Sequence, residues 1–375
     1  MADNKTEEKL IEVLRKRRDP EAKRLKRFLD MSDLTRTPGS PLAELVKRIV
    51  NLPRFSDFEV LKAPEIIPYD ISFNLFNFPA DHPARNPSDT YFVDKDHILR
   101  THTTVMWYYH LALPGVWNKI KKGESVSALS YGKVYRKDEI DRSHMNVFHQ
   151  MDGWYLCRRK DHIITINDLK DVLIEIAQAI FGKNTKYRFN TDKFPYTDPS
   201  IEMEIQVSER WVEVLGAGVV RKVVLENLGV DPKRYNGWAF GFGLERLAIT
   251  SMDLPDIRLL WSQDERVKKQ LKLGNKYKEV SKFPPITRDI SFIAGKDFVP
   301  NNYFDLIRDI GGILVEEVRL IDKYEDLIKF GPDRSSYTYR LIYRSSDRTL
   351  LSNEVDKIQE KIYSETAKQF NAKLR

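Results

Sequence analysis

Apolar and polar residues alternate along residues 130–136 and again along 147–157, and the stretch between them, 138–145, is almost wholly polar. A period of two marks a half-buried strand, so the pattern predicts an antiparallel pair joined by a charged loop. Further strand-like runs fall at 91–93, 201–206, 210–215 and 238–241. Helical spacing appears at 103–113, 166–181, 221–228 and 244–251. This mixture lacks the repeating βαβ rhythm of a doubly wound parallel sheet and predicts an α+β fold with a central antiparallel sheet flanked by helices. Residues 1–30 read as one charged helix with Leu10, Ile11, Leu14, Leu25 and Phe28 on its apolar side, and TPGSP at 37–41 breaks the pattern before a helix at 42–50. The stretch 263–285 is polar and ends in two prolines. Beyond it come a strand at 286–293, a helix at 301–310, strands at 313–324 and 336–343, and a helix at 352–370 capped by Ser352 or Asn353. That order suggests a ferredoxin-like split βαβ unit. The chain therefore divides into a helical extension (1–55), a main domain (56–262), a linker (263–282) and a small domain (283–375).

Composition narrows the class. With 375 residues, 41% hydrophobic and 31% charged, the chain suits a large and a small globular domain. No apolar run approaches the ~20 residues of a membrane span, so no membrane partner is expected. Cys157 is the only cysteine, which excludes an intrachain disulfide and a cysteine zinc site. The net charge of +7 fits a polyanionic partner. The basic clusters at 15–18 and 23–27 are in reach of RNA, although a solvated helix face is the commoner meaning of such a run. Acids at Asp3, Glu7, Glu8 and Glu12 argue against an organelle transit peptide, so a cytoplasmic protein is expected, with a matured mitochondrial enzyme as the alternative.

Two segments carry candidate chemistry. Arg136, before the polar loop, can hold an α-phosphate through paired charged hydrogen bonds. On the return strand Phe148, Gln150 and Asp152 share one face, which gives a stacking surface, an amide and a carboxylate for an ammonium. In GWAFGFGLER at 237–246 the glycines let the backbone turn tightly before a helix, and Arg246 can stack on a base whose other face lies on Phe148. There is no P-loop. A hairpin with a charged loop and packing glycines remains the bland account of each segment taken alone.

The order of Arg136, FHQ at 148–150, FPYTDPS at 194–200, EVLGAG at 213–218 and GFGLER at 241–246, with NFPADHPARNPSDTYF at 77–92 and LRTHTT at 99–104 upstream, resembles the phenylalanine–tRNA ligase family of class II aminoacyl-tRNA synthetases. The resemblance runs through roughly residues 65–375 and is nearest to the single-chain form known from mitochondria. It implies the class II antiparallel-sheet catalytic domain followed by a ferredoxin-like anticodon-binding domain. The implied activity is ATP-dependent attachment of phenylalanine to its tRNA through phenylalanyl-adenylate, with Mg²⁺ on the β- and γ-phosphates, by a monomer.

The resemblance also distributes roles. Phe194 and Tyr196 clasp the substrate ring, and Ala239, Gly216 and Gly218 leave room for it. His102, Thr104, Gln150 and Asp152 fix the polar end, and Met151 and Trp107 are counted with this substrate set. Arg136 and Arg246 are the catalytic pair; Ser143, His144 and Met145 form the loop over ATP, and Phe148 and Phe240 line the adenine pocket. Glu213 is the leading magnesium ligand, with Glu204 and Asp198 behind it. Three positions depart from the family: Tyr196 stands for phenylalanine, Asp152 for glutamate and Trp107 for glutamine. The Tyr196 hydroxyl, turned to the far end of the ligand ring, would weaken rejection of tyrosine; turned to solvent or backbone, it would not. The segment 281–375 carries 16 basic and 15 acidic residues, so bulk charge does not mark it as RNA-binding, and Arg288, Lys323, Tyr339, Arg340 and Arg344 are its candidate RNA contacts. A class II enzyme for another amino acid and a non-catalytic tRNA-binding paralogue stay open as alternatives.

Overall fold

Alternation along the chain builds one large sheet. The structure, a computed structural model, describes residues 2–137, 142–207, 209–345 and 348–375, which form two compact units, Met1–Tyr277 and Lys278–Arg375. In the first unit the strands are β1 (Glu59–Leu61), the short pair β2 (Ile66–Pro68) and β3 (His97–Leu99), then β4 (Val126–Tyr135), β5 (Val147–Arg158), β6 (Tyr187–Phe194), β7 (Thr197–Val207), β8 (Arg210–Val220) and β9 (Tyr235–Gly243). Seven of them make a sheet in the order β1-β4-β5-β9-β8-β7-β6. Only β1 runs parallel to its neighbour; the other pairings are antiparallel. Along β5 the side chains of Val147, His149 and Met151 are buried on one face, and Phe148, Gln150 and Asp152 point to the other. The helix Ile166–Phe181 packs Leu169, Val172, Leu173 and Ile176 inward behind a Thr165–Asp168 capping box.

Local chemistry moved several boundaries. The expected single helix at 1–30 is two, α1 (Ala2–Lys16) and α2 (Pro20–Asp30), because Pro20 cannot continue a helix and Asp19 caps the second one by accepting from the Ala22 amide at 3.0 Å. Ala22, Leu25 and Phe28 of α2 bury against Tyr91, Leu99 and Tyr135. Its C-terminal carbonyls are met by buried Lys133 of β4, whose Nζ donates to Leu29 O at 2.7 Å and Met31 O at 2.9 Å. A third helix, α3, spans Pro41–Val50 behind the cap of Ser40. The expected helix at 103–113 is a 3₁₀ turn (Thr103–Val105) and a short helix (Met106–Leu111), after which Pro114 opens a separate helix. The run 91–93 contributes one bridge, Phe92 to Ile98. The stretch 263–285 contains the helical turn Glu265–Lys268.

In the second unit β10 (Ile286–Gly295), β11 (Val315–Glu325), β12 (Arg334–Tyr343) and β13 (Lys373–Leu374) pair in the order β11-β12-β10-β13. The two-residue β13, too short to read in the sequence, completes a βαββαβ unit by pairing with Phe292 and Ile293. The helix Ser352–Gln369 begins after Leu351, whose amide is accepted by Glu354 at 2.9 Å, so neither Ser352 nor Asn353 is its cap. The expected RNA contacts are engaged internally. Tyr339 is core. Arg340 holds Asp289 through two bonds of 2.8 Å, Arg288 pairs with Asp356 at 2.7 Å, Lys323 with Glu325 at 2.6 Å and Arg344 with Glu316 at 3.0 Å. Exposed apolar residues of this unit include Leu320, Ile321 and Tyr324 on β11, Leu327 and Ile328 just beyond it, and Val299, Leu351 and Leu374.

Candidate active site

One face of β5, β8 and β9 opens into a cavity of about 830 Å³. Into it the fold brings His102, Thr104, Arg136, Ser143, His144, Met145, Phe148, Gln150, Asp152, Phe194, Tyr196, Glu213, Gly216, Gly218, Ala239, Phe240 and Arg246. The middle of the loop expected over the nucleotide, 138–141, lies outside the described residues. Four of the residues expected here sit elsewhere. Met151 is fully buried on the opposite face of β5, because adjacent residues of a strand point opposite ways. Trp107 is also fully buried, stacked on Trp154 with ring centres 5.3 Å apart, so the indole is part of the wall behind the cavity. Glu204 is held by Arg188 on the outer strand β6, and Asp198 lies 3.6 Å from Arg221.

At one end of the cavity a polar group surrounds Asp152. Burial raises its carboxyl to about 7, against hydrogen bonds from Thr103 and Thr104 and the charge of Arg100. Thr103 Oγ1 lies 2.5 Å from Asp152 Oδ2, and the Thr103 amide donates to Gln150 Oε1 at 3.2 Å. His102 is held neutral, its pKa lowered to about 3 by burial and by Arg136. Its Nε2 donates to Ser72 O at 3.0 Å, and buried Nδ1 has no partner among the described residues, so an acceptor lone pair is left in the wall. Gly241 is required beside this group, since a Cβ there would stand 2.9 Å from Asp152 Oδ2.

The next stretch of wall is aromatic. Phe194 and Tyr196 lie nearly parallel, 5.9 Å apart, and Phe76 and Trp107 meet Tyr196 edge-on. The Tyr196 hydroxyl is buried beside Thr104 and Asp152, and burial and the Asp152 charge push its ionisation upward. It therefore faces the polar end rather than solvent or the far end of a ligand ring. Gly216 and Gly218 work differently from the open space expected of them. A Cβ on Gly216 would come within 3.0 Å of the Phe194 ring, and one on Gly218 within 2.4 Å of Thr197. These glycines let the β6–β7 turn, with its aromatic pair, close onto β8.

At the other end Arg136 donates Nε to Thr101 O at 2.9 Å, and its guanidinium carbon lies 5.2 Å from the centre of the Phe148 ring. Arg246, in the first turn of the helix Leu244–Met252, pairs with Glu213 at 3.2 Å. The sequence reading missed Thr103; it noted Gly241 and the Glu245–Arg246 pair as the turn opening a helix, without their contacts to Asp152 and His149. Glu245 was visible as the acid beside Arg246, but its partner His149, buried on the reverse of β5, was not.

This geometry, with a carboxylate-bearing polar end, an aromatic middle and an arginine-rich far end, fits an aromatic amino acid laid against a nucleotide. The chain matches a family model of the class II tRNA synthetase core domain over residues 29–271 and one of the ferredoxin-fold anticodon-binding domain over residues 281–375. It is 40% identical to the chloroplastic/mitochondrial phenylalanine–tRNA ligase of Arabidopsis thaliana, over 86% of this chain and 73% of that one. It is 34% identical to the mitochondrial phenylalanine–tRNA ligase of Mus musculus (83% and 73%) and 33% identical to that of Saccharomyces cerevisiae (81% and 80%). The cytoplasmic expectation does not stand beside relatives with organellar names. Of the N-terminal acids behind it, Glu7 of α1 belongs to the fold: it accepts from the amides of Glu65 and Ile66 at 2.6 and 3.0 Å. With the family models spanning catalytic core and anticodon-binding domain, and relatives of this identity matched over most of their length, the chain belongs to the phenylalanine–tRNA ligase family of class II aminoacyl-tRNA synthetases.

Proposed function

We infer that the protein activates phenylalanine with ATP and transfers it to its tRNA. The observation that carries this reading is the joining, in one cavity, of the Asp152 group, the Phe194–Tyr196 pair and the Arg136–Phe148–Arg246 set. The substrate ammonium is met by Asp152, Gln150 Oε1 and His102 Nδ1, the phenyl ring by the aromatic pair and Ala239. Tyrosine is disfavoured because the Tyr196 hydroxyl is turned away from the ring's far end, so nothing from that side chain satisfies a buried phenol. Adenine stacks between Phe148 and Arg246. A substrate carboxylate oxygen then attacks the α-phosphorus, the bond to the β-phosphate oxygen breaks and pyrophosphate leaves. Arg136 stabilises the charge gathering on the α-phosphoryl oxygens. In the second step the 2′-hydroxyl of the terminal adenosine attacks the activated carbonyl and AMP departs.

Among the described residues no group of three or more His, Cys, Asp or Glu is arranged to hold a metal ion. The acids present do suit a hard cation that keeps phosphate and water oxygens. Glu213 faces the cavity, and Glu202 on β7, raised to about 7 by burial and by the charges of Glu213 and Asp192, would be relieved by a cation nearby. A magnesium ion bound with ATP would supply charge neutralisation on the phosphates, and Glu213 is the residue that would hold it.

The tRNA partner fits the charge distribution. Residues 15–27 contain eight basic and two acidic residues, a net +6 out of the chain's +7, and Arg15, Lys16, Arg18, Lys23, Arg24 and Arg27 are exposed on α1, α2 and the turn between them. We place the enzyme in the mitochondrial matrix as a monomer. Light scattering at about 44 kDa and fractionation of the native protein with organelle matrix check the two statements.

The reading as a whole is tested by amino-acid-dependent pyrophosphate–ATP exchange without tRNA. Phenylalanine is expected to give strong exchange and tyrosine a feeble one. Folded protein with Mg²⁺ that stays silent with all standard amino acids refutes the activity.

A further inference from the structure

On the reverse of β5, directly behind Phe148 and Gln150, lies a buried polar relay that the chemistry above does not use. His149 is fully buried. Its Nδ1 donates to Glu245 Oε1 at 2.6 Å, and its main-chain amide donates to the same carboxylate at 2.9 and 3.0 Å. The other ring nitrogen, Nε2, accepts from the Leu34 amide at 3.0 Å, and Trp261 stacks on the ring at 5.6 Å. The Leu34 segment is docked in turn. Arg36 donates to Tyr131 O at 3.1 Å from both terminal nitrogens, lies 4.3 Å over the Tyr131 ring and pairs with Asp33 at 2.5 Å.

We infer that His149 is a positioning residue for the nucleotide: the relay from the Leu34 amide through the imidazole to Glu245 fixes the first turn of the helix Leu244–Met252, and so the guanidinium of Arg246. This rests on the reading of the cavity as an ATP site. The physical reason is directional. The Glu245 carboxylate is almost wholly buried and takes three hydrogen bonds from one residue of β5, so its place is set to within a bond's tolerance. The adjacent Arg246 inherits that placement and reaches Glu213 across the cavity. The imidazole is the only link that needs both nitrogens, one facing the segment at residues 33–36 and one facing the helix. In this way residues at the edge of the N-terminal helical region help to set the geometry of the adenine clamp.

Two substitutions separate the ends of the relay. His149→Asn keeps a donor where Nδ1 stood, and His149→Gln keeps an acceptor where Nε2 stood. In phenylalanine-dependent exchange the Gln variant is expected to raise the KM for ATP about tenfold with the KM for phenylalanine changed less than about twofold, and the Asn variant to recover most of the ATP affinity. Arg36→Ala, a change at a partly exposed site, is expected to raise the ATP KM about threefold by loosening the segment that presents the Leu34 amide. Calorimetric binding of ATP to the same proteins reads the effect independently of catalysis, so a parent enzyme without exchange refutes the proposed function and leaves this inference decidable. Equal ATP affinities in the Asn and Gln variants, or ATP and phenylalanine constants rising together, overturn it in favour of general loosening of the fold.

Discussion

Replacing Arg136 with alanine is expected to slow phenylalanine-dependent pyrophosphate exchange by about 10³-fold, the scale found when one pre-aimed donor to a developing oxyanion is removed. The side chain is aimed before substrate arrives: Nε is committed to Thr101 O at 2.9 Å and the guanidinium lies over Phe148. The side chain so fixed lines the cavity. Removing it subtracts an interaction that strengthens as charge gathers on the α-phosphoryl oxygens, so the loss should fall mainly on kcat. Arg136→Lys should recover little, because an ammonium does not reproduce the paired donors of a guanidinium. An alanine variant with near-normal exchange would remove Arg136 from the chemistry.

What the sequence made legible follows the strength of its periodicity. Strand β5 and the helix Ile166–Phe181 were readable because each buries one regular face against the core. Strand β6, Tyr187–Phe194, was not, since an outer strand with mostly exposed side chains carries no apolar alternation. The same distinction runs through the site. Phe148, Gln150 and Asp152 could be assigned to one face by parity alone. Met151 and His149 then belong to the other face by the same rule: Met151 was wrongly counted with the substrate set, and His149 is a buried polar residue whose partner lies 96 positions away. Trp107 and the glycines show a different limit. Whether a large ring reaches the ligand or packs behind it, and whether a glycine opens space or lets two strands close, depends on what stands opposite. For Trp107 that is Trp154, for Gly216 Phe194 and for Gly218 Thr197. The anticodon candidates meet the same limit, since a cation on a strand reads alike whether it faces RNA or a neighbouring carboxylate such as Asp289.

Asp152→Asn should make the enzyme more stable and nearly unable to bind phenylalanine. The carboxyl is buried and holds its proton up to about 7 in the folded chain, against an ordinary value of 3.8. Between those values the folded state binds more protons than the unfolded one, so stability falls as pH rises through that window and levels off above it. The difference corresponds to at most on the order of 4 kcal/mol of destabilisation above pH 7, and an amide in its place removes it. The Tm of Asp152→Asn is therefore expected to exceed that of the parent at pH 8 and to match it near pH 4. Binding moves the other way. The substrate ammonium needs the ionised carboxylate, and loss of that buried charge partner should raise the phenylalanine KM by about 10²-fold or more. In the parent the same KM should climb about tenfold per pH unit below about 7 as the carboxyl takes up its proton, whereas the Asn variant should show no such limb. An Asn variant that melts lower than the parent at pH 8, or that binds phenylalanine as well, would mean that Asp152 is held by its threonine neighbours for the fold and not kept in reserve for the ammonium.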